Sequence, residues 1–311
     1  MSRRLPAIKE DLASDDSEVV TKAVDELAGL QNAAAVKLLF EKSNDETFSA
    51  KKQASDAFTK LVSTSPQTAL RHKSADLRLS AIRRLMAAKV TAAVPELARV
   101  LHSKMSLEIR CLSAEALGAI GQTSSVPILV EVRQDPISEI RAAALHGLQK
   151  IMQVAGEEAV IEFLDDDDWT LRQDAQEHLE STGWLPKTNR EKVLRGIILG
   201  RFDEAVACGV DSVSCLVNAT LRVNDAEVRR WSAVALTRLN SDAAARRLRK
   251  ALKSRDAGER QAAAAALAIL GASAVAEGFS EAETASVCAT STTRESVFAA
   301  AARMLTLIGQ P

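Results

Sequence analysis

A pattern of hydrophobic, small and polar positions recurs along the chain about every 31 residues. Each copy has a polar capping residue, an aliphatic residue followed by Arg, a small residue three positions later, and a Leu four positions after that. The small residue and the Leu share one face of a helix, so the pattern predicts a series of amphipathic helices. The clear copies span Asp76–Leu85, Leu107–Gly121, Ser138–Leu148, Asp168–Leu179, Asp225–Leu236 and Asp256–Gly271.

The arginine of this pattern sets the spacing of the repeats. Its successive separations are 32, 31, 31, 57 and 31 residues, and 57 is close to two shortened periods. A degenerate unit is therefore expected between the fourth and fifth arginines. Weaker copies near Ala23, Ala54 and Ala301 lack the Arg, as is typical of the end units of a repeat array. The predicted structural ladder consists of Arg78, Arg110, Arg141, Arg172, Arg229 and Arg260.

Second apolar stretches lie between the Arg-bearing helices, at Ala92–Leu101, Ser125–Val132 and Glu157–Leu164. Pro95 and Pro127 fall in the first turn of such stretches, where a missing N–H does no harm. Each unit is therefore predicted to be two antiparallel helices. One hairpin cannot bury both of its apolar faces, but stacking against neighbours does so. The predicted fold is all-α, a right-handed α-solenoid of about nine or ten stacked helical hairpins.

The same pattern divides the chain and marks where helices begin. N-terminal repeats are expected over 1–181, an irregular linker or degenerate repeat over 182–224, and C-terminal repeats with a cap over 225–311. Four polar residues stand where an N-cap accepts the first free amide hydrogens of a helix. These predicted N-caps are Ser138, Asp168, Asp225 and Asp256.

The aliphatic-Arg-x-x-small core, the Gly118–Gly121 type of ending and the period near 31 resemble HEAT repeats. The chain is similar to the short bacterial type related to the phycobilisome (phycobilin) lyases, and Thr182–Gly209 resembles the Trp-x-Pro linker and short helices of that group. The resemblance implies that the Arg-bearing helices line a concave face. It also implies an Asp six residues before each Arg, which only some repeats here have. Asp135 and Asp166 match, so an incomplete Asp–Arg ladder is expected; the other positions hold His72, Lys104 and Ser254.

Composition supports an all-helical chain and excludes several classes. The 311 residues include 3% aromatics, no Tyr, 13 Gly and 7 Pro, which disfavours a β-sandwich or barrel. The net charge of -1 gives no overall attraction to nucleic acid or to anionic membranes. The first twenty residues lack the apolar core of a secretory signal, and no apolar run is long enough to span a membrane. The chain is therefore predicted to be cytoplasmic.

No motif in the sequence predicts catalysis, a cofactor or a metal. The four His residues have no His or Glu partner at metal-ligand spacing, and the His-Glu dipeptides of the di-iron deoxyhypusine hydroxylases do not occur. The acidic run Asp165–Asp168 is interpreted as an N-cap and a solvated turn rather than a calcium loop. The cysteines are predicted to be buried free thiols in a reducing compartment; they are Cys111, Cys208, Cys215 and Cys288.

Charge alternates along the array. Nine Lys and Arg face three acids over residues 71–110, ten acids face one Arg over 157–180, and eleven bases face five acids over 222–260. Such mixed bands suit a protein partner better than a polyanion, and too few aromatics accompany the bases for nucleic-acid stacking. Core packing is expected for Trp169, Trp184 and Trp231. The candidate partner-binding surface consists of Arg83, Arg84, Glu115, His146, Glu177, His178, Arg230, Trp231 and Arg238.

The function predicted from the sequence is a non-enzymatic scaffold that binds another protein on the surface of the repeats. Two alternatives remain open at this point. The resemblance implies a phycobilin-lyase-like subunit that acts on a phycobiliprotein or its chromophore. The basic patches would suit nucleic acid, which is less favoured than a protein partner.

Overall fold

The computed structural model describes residues 4–155, 157–239 and 241–276. Within these residues the chain is built of helices and turns, without β-strands, so the predicted all-α class is confirmed. The chain forms two compact units, residues 1–159 and 160–311. The predicted end unit near Ala301 and the thiol of Cys288 lie outside the described residues.

The described part of the first unit contains helices that pack in pairs, and α2, α4, α6, α8 and α10 lie side by side in succession. The last three of these carry the ladder arginines of this unit. The helices are α1 (Arg4–Asp11), α2 (Ser17–Gly29), α3 (Ala33–Asn44), α4 (Lys51–Thr64), α5 (Pro66–Leu70), α6 (Ala75–Ala87), α7 (Val94–Leu101), α8 (Leu107–Ile120), α9 (Ser125–Glu131) and α10 (Ser138–Ala155).

The second unit repeats this arrangement. Helix α13 packs on α14, α15 on α16 and α17 on α18, while α14, α16 and α18 are neighbours across successive pairs. Its helices are α11 (Glu158–Ile161, which begins just before the unit), α12 (Trp169–Ser181), α13 (Asn189–Ile198), α14 (Phe202–Ala207), α15 (Ser212–Arg222), α16 (Ala226–Arg238), α17 (Asp242–Ala251) and α18 (Ala257–Ala276).

The small residue and the Leu of each repeat form the core between helices, as their spacing predicts. In all six clear copies both residues are at most 2% exposed. Ser113 and Ser232 take the small position in two repeats, and Ser113 satisfies its hydroxyl by donating to the carbonyl of Ile109 at 2.8 Å. Burial of these side chains is the main stabilising contribution, at roughly 1.5–3 kcal/mol for a buried Leu.

Three of the four predicted N-caps are confirmed. The carboxylates of Asp168, Asp225 and Asp256 accept backbone N–H groups of the following helix turn at 2.8–2.9 Å. The prediction for Ser138 is wrong, because α10 begins at Ser138 itself. There the Asp135 carboxylate accepts from the N–H two residues later and fixes the turn before the helix.

Every ladder arginine donates to a backbone carbonyl, and Arg110 and Arg172 also pair with acids. Five of the six donate to the carbonyl oxygen six residues earlier, in the turn that precedes the helix. Arg110 instead donates to the Leu101 carbonyl at 2.7 Å and pairs with Asp135 of the next repeat. Because a carbonyl is present whatever the side chain, the contact persists where His72 or Ser254 replaces the expected Asp.

Two glycines let neighbouring helices of the first unit approach closely. Helices α8 and α10 cross at Gly118 and Gly147, and a Cβ added at Gly118 would lie 2.3 Å from the Gly147 Cα. A Cβ at Gly147 would lie 3.0 Å from the Ala114 carbonyl oxygen. Both contacts involve backbone, so relief would require the helices to move apart.

A buried carboxylate connects consecutive helix pairs in the first unit. Glu96 of α7 accepts from Arg71, which follows α5, at 2.9 and 3.2 Å, and from Arg99 on its own helix at 2.6–2.9 Å. Burial would raise the pKa of Glu96, but the hydrogen bonds from the two guanidinium groups outweigh it and lower the pKa to about 2.

This pKa predicts how Glu96→Gln changes stability with pH. Since the folded pKa lies below the ordinary value of 4.5, the carboxylate stabilises the fold fully above about pH 4.5 and less as the pH falls toward 2. The variant should be less stable than the parent at pH 7, and the difference should shrink through that window in urea unfolding. Glu108→Gln, at an exposed pair with Arg83, is the control and should change little. A difference for Glu96→Gln that stays constant down to pH 2 would contradict the assignment.

Candidate functional site

The second unit has a short helix where the regular repeats have a long one. Helix α14 has 6 residues, and its neighbour α16 has 13. At 1.5 Å per residue these helices are about 9 Å and 20 Å long, so α14 covers less than half of the α16 face. The chain enters α14 through Gly200, whose φ of 69° lies in the left-handed region open to glycine.

A cleft of about 570 Å³ lies beside α14, which we name the α14–α16 cleft. The floor and walls come from α16, from the end of α13 and the start of α14, and from the first residue of α12. Its lining residues are Trp169, Ile197, Ile198, Gly200, Arg201, Phe202, Asp203, Asp225, Glu227, Val228, Trp231, Val234, Ala235 and Arg238.

Partly exposed aromatic side chains gather in this cleft. Trp231 is 43% exposed, and Trp169 and Phe202 are half-buried. The predicted core packing is right for Trp184, which is 3% exposed, wrong for Trp231, and incomplete for Trp169. The physical reason at Trp231 is its place two residues after the ladder arginine, a position that stays only partly buried in most regular repeats, so a large side chain there is not fully covered. Elsewhere in the described chain, Phe40 is the other Phe or Trp left partly exposed.

The two cations of the cleft are paired within the fold. Arg238 of α16 forms an ion pair with Asp203 at the start of α14. Arg201 pairs with Glu204 at 3.4 Å. These pairs connect the short helix to its surroundings, although each is largely exposed and contributes little to stability.

Two further carboxylates of the cleft lie at the start of α16, away from the ion pairs at the start of α14. Asp225 caps that helix by accepting from the N–H of Val228 at 2.9 Å. Glu227 is exposed and, among the residues that the structure describes, forms no hydrogen bond or ion pair. The cleft therefore combines an aromatic and aliphatic floor with a locally acidic edge.

The candidate surface residues of the first unit fall into two groups. Arg83 of α6, Glu115 of α8 and His146 of α10 occupy equivalent positions, each five residues after the ladder arginine of its helix. Arg83 and His146 are exposed, and Glu115 is half-buried. Arg84 is engaged within the fold, because its guanidinium donates to Ser55 and Thr59 of α4.

In the second unit, Trp231 and Arg238 meet in the α14–α16 cleft. Arg230 lies on the other side of α16, with its guanidinium carbon 5.5 Å from the centre of the Trp231 ring. Glu177 is exposed on α12. His178 beside it is half-buried, and burial lowers the pKa of its imidazole.

The cysteines differ from the expectation of four buried thiols. The three described cysteines are free, but Cys111 and Cys208 are partly exposed and Cys215 alone is buried. Burial, with Asp165 nearby, raises the pKa of the Cys215 thiol to about 11, so it stays protonated at neutral pH. Within the described residues no group of three or more His, Cys, Asp or Glu side chains could hold a metal ion.

Sequence reasoning missed most of the cleft. Trp169, Phe202, Asp203 and Glu227 come from three separate segments, and none occupies a defining position of the repeating pattern. The signal that could have found them is the 57-residue separation of two ladder arginines, because a shortened repeat must leave part of its neighbours uncovered.

The chain is built of helix pairs, and in each clear repeat a small residue and a Leu form the buried face; this arrangement defines a helical repeat protein. The family profile of HEAT repeats matches residues 65–149 and again 94–180. This part of the chain consists of HEAT repeats, which confirms the predicted class of repeat. Among curated proteins none matches the chain.

Solved structures of similar sequence include three with long coverage. The complex of CpcE and CpcF of phycocyanin lyase from Nostoc sp. PCC7120 is 21% identical over 81% of this chain and 88% of that one, with a TM-score of 0.30. Human deoxyhypusine hydroxylase with glycerol is 18% identical over 96% of both chains, with a TM-score of 0.25. An engineered protein is 19% identical over 83% and 92%, with a TM-score of 0.21.

None of the described helices combines the length and the apolar character that a membrane crossing requires.

Proposed function

We propose that this protein is a non-enzymatic scaffold that binds another protein, with the α14–α16 cleft as its main contact site. The observation that carries the proposal is the gathering of Trp169, Phe202 and Trp231, all incompletely buried, in one cleft. In a chain with 3% aromatic residues, three that remain incompletely buried in one cleft form the kind of exposed apolar patch that marks an interaction site.

The cleft has the properties of a protein-binding hot spot. Trp and Arg are the residue types that most often dominate the binding energy of interfaces, and Trp231 and Arg238 both line the cleft. The apolar area around them comes mainly from Phe202, Trp169 and the half-buried Val234, since Ile198 and Val228 are only 9% and 8% exposed. A partner side chain inserted here would remove that area from water, which favours association by roughly 25 cal/mol per Å² before the entropic cost of binding.

Further contacts would come from the exposed positions of the regular repeats. Arg83, Glu115 and His146 occupy the same position in three successive repeats of the first unit, so a partner could follow them from helix to helix. Each exposed charge contributes little affinity, but the opposite signs of Arg83 and Glu115 would orient the partner and raise the association rate.

A pull-down from the native host with the full-length chain as bait tests the proposal. We expect Trp231→Ala to lose the captured protein, because truncating a central Trp typically weakens binding by about 2 kcal/mol or more. The matched control is Val210→Ala, which shortens a side chain that is 85% exposed on the same unit and outside the cleft.

The outcome depends on the difference between the two variants. Capture by the parent and by Val210→Ala, with loss for Trp231→Ala, supports a protein-binding cleft. Equal capture by all three chains, or capture of nothing but background, would contradict it. Thermal unfolding of each variant shows that the bait is folded.

A further inference from the structure

The lining of the α14–α16 cleft is net acidic, because Asp203, Asp225 and Glu227 outnumber Arg201 and Arg238. Arg238 is engaged with Asp203, and Arg201 with Glu204. Asp225 and Glu227 on the facing edge have no cation as partner among the residues that the structure describes. A ligand entering the cleft therefore meets two carboxylates whose charge the fold does not neutralise.

A second acidic segment is held against the same edge. The turn that contains Asp165–Asp168 is joined to the turn before α16 by two hydrogen bonds. The N–H of Asn224 donates to the Asp167 carbonyl at 3.1 Å, and the N–H of Trp169 donates to the Asn224 side chain at 2.7 Å. Asp165 is paired with Arg172 and Arg190, and Asp167 with Arg222 at 3.9 Å, so the turn adds negative potential beside the cleft chiefly through Asp168, which caps α12.

Helices α12, α14 and α16 begin at the cleft, and helix N-termini ordinarily favour anions. Three of the first-turn amide hydrogens of α12 and α16 are already bonded. Trp169 donates to Asn224, Thr170 donates to the Asp168 carboxylate, and Val228 donates to the Asp225 carboxylate. These three donors are taken by the protein's own oxygens, whereas the exposed Glu227 side chain is an acceptor without a partner among the described residues, so the α16 edge favours a cation over an anion.

The aromatic side chains of the cleft also favour a cation. A Trp ring attracts a cation over its face, and the attraction is strongest for Trp among the aromatic residues. Trp231 already holds the guanidinium of Arg230, which does not line this cleft, at 5.5 Å from its ring centre. Trp169 and Phe202 add further aromatic surface within the cleft.

We infer that the α14–α16 cleft binds a basic side chain, preferably Arg, presented by an extended segment of the partner protein. Its aliphatic stem would pack on Val228 and Val234, and its guanidinium would stack on the exposed Trp231 surface while donating to Glu227 and Asp225. Arg is preferred over Lys because its planar group both stacks and pairs with carboxylates through two hydrogen bonds. This inference rests on the proposed function and specifies its ligand chemistry.

A display library of random twelve-residue peptides, selected on the full-length chain, tests the inference. We expect the enriched peptides to share an Arg, and binding of a labelled enriched peptide to weaken when Lys replaces that Arg. Trp231→Ala should weaken its binding about tenfold or more. Glu227→Gln should weaken it about threefold and Glu227→Lys about tenfold, since the second change also repels the ligand.

Asp242→Asn is the matched control. Asp242 is an exposed acid in the first turn of α17, as Glu227 is in the first turn of α16, but it lies outside the cleft. Its substitution should leave peptide affinity unchanged while removing a comparable helix-terminal charge.

The two levels of the proposal fail in different ways. Enriched peptides without Arg or Lys, or equal affinity for Glu227→Lys and Asp242→Asn, would overturn the basic ligand even if Trp231→Ala still abolished binding. Affinity unaffected by Trp231→Ala would overturn the cleft as the binding site, and with it the proposed function.

Discussion

Gly118→Ala is expected to destabilise the protein by about 2–3 kcal/mol, although Ala is the better helix former. The added methyl group would lie 2.3 Å from the Gly147 Cα and 2.8 Å from its carbonyl oxygen. These are backbone atoms, so no side chain can rotate away and helices α8 and α10 must separate. Urea unfolding monitored by circular dichroism measures the loss.

Two further glycines make this prediction a ranked series. The methyl group added by Gly147→Ala would lie 3.0 Å from the Ala114 carbonyl oxygen and 3.1 Å from a movable Leu129 methyl group. The loss of stability should therefore be smaller than for Gly118→Ala. Gly29→Ala has nothing within 4 Å and should stabilise α2 slightly, by up to about 1 kcal/mol. Equal stabilities for all three variants would show that the close crossing of α8 and α10 is not a constraint on the fold.

Arg172→Ala is expected to destabilise the second unit by about 3–5 kcal/mol. Arg172 is fully buried, donates to the Asp166 carbonyl and pairs with Asp165 at 3.5 Å. The substitution leaves a cavity and a carbonyl without its donor, and each of these carries a penalty. Burial already lowers the pKa of this guanidinium.

Arg260→Ala is the control for this effect, because the same type of bond exists there at the surface. Arg260 donates to the Ser254 carbonyl at 2.9 Å but is exposed. Its loss should change the free energy of unfolding by less than about 1 kcal/mol. Comparable losses for the two variants would mean that the carbonyl bond itself, rather than burial of the arginine, determines the stability of the ladder.

The regular part of the fold could be predicted from sequence because it depends on local periodicity. The small and Leu positions are buried in all clear copies, and Asp168, Asp225 and Asp256 cap their helices as their positions predict. The arginine ladder was placed correctly along the chain, and the expected incomplete Asp–Arg ladder includes the Arg110–Asp135 pair, but the carbonyl contact that all six arginines make was not expected. A backbone carbonyl leaves no trace in side-chain identities, so sequence could not reveal it.

The cleft could not be predicted in the same way, because it results from what the short repeat fails to cover. Trp231 lies two residues after its ladder arginine, at a position that the other clear copies fill with Ser80, Leu112, Ala143, Asp174 and Ala262, so the repeat gives no consistent core signal there. The position is only partly buried in four of those five copies, and the cleft around Trp231 depends in addition on the short α14 and the turn at Gly200. Ion pairs such as Arg238 with Asp203 join residues 35 positions apart and depend on the same packing.

Site-specific photo-crosslinking in the native host tests the central claim most directly. A benzoylphenylalanine placed at Val234, inside the α14–α16 cleft, would report what lies within a few ångströms of the floor. The control position is Arg249, which is exposed on α17 outside the cleft. The account predicts a crosslinked protein from position 234, through a segment that contains an Arg, and none from position 249. A crosslink from position 249 alone, or from neither position, would contradict it.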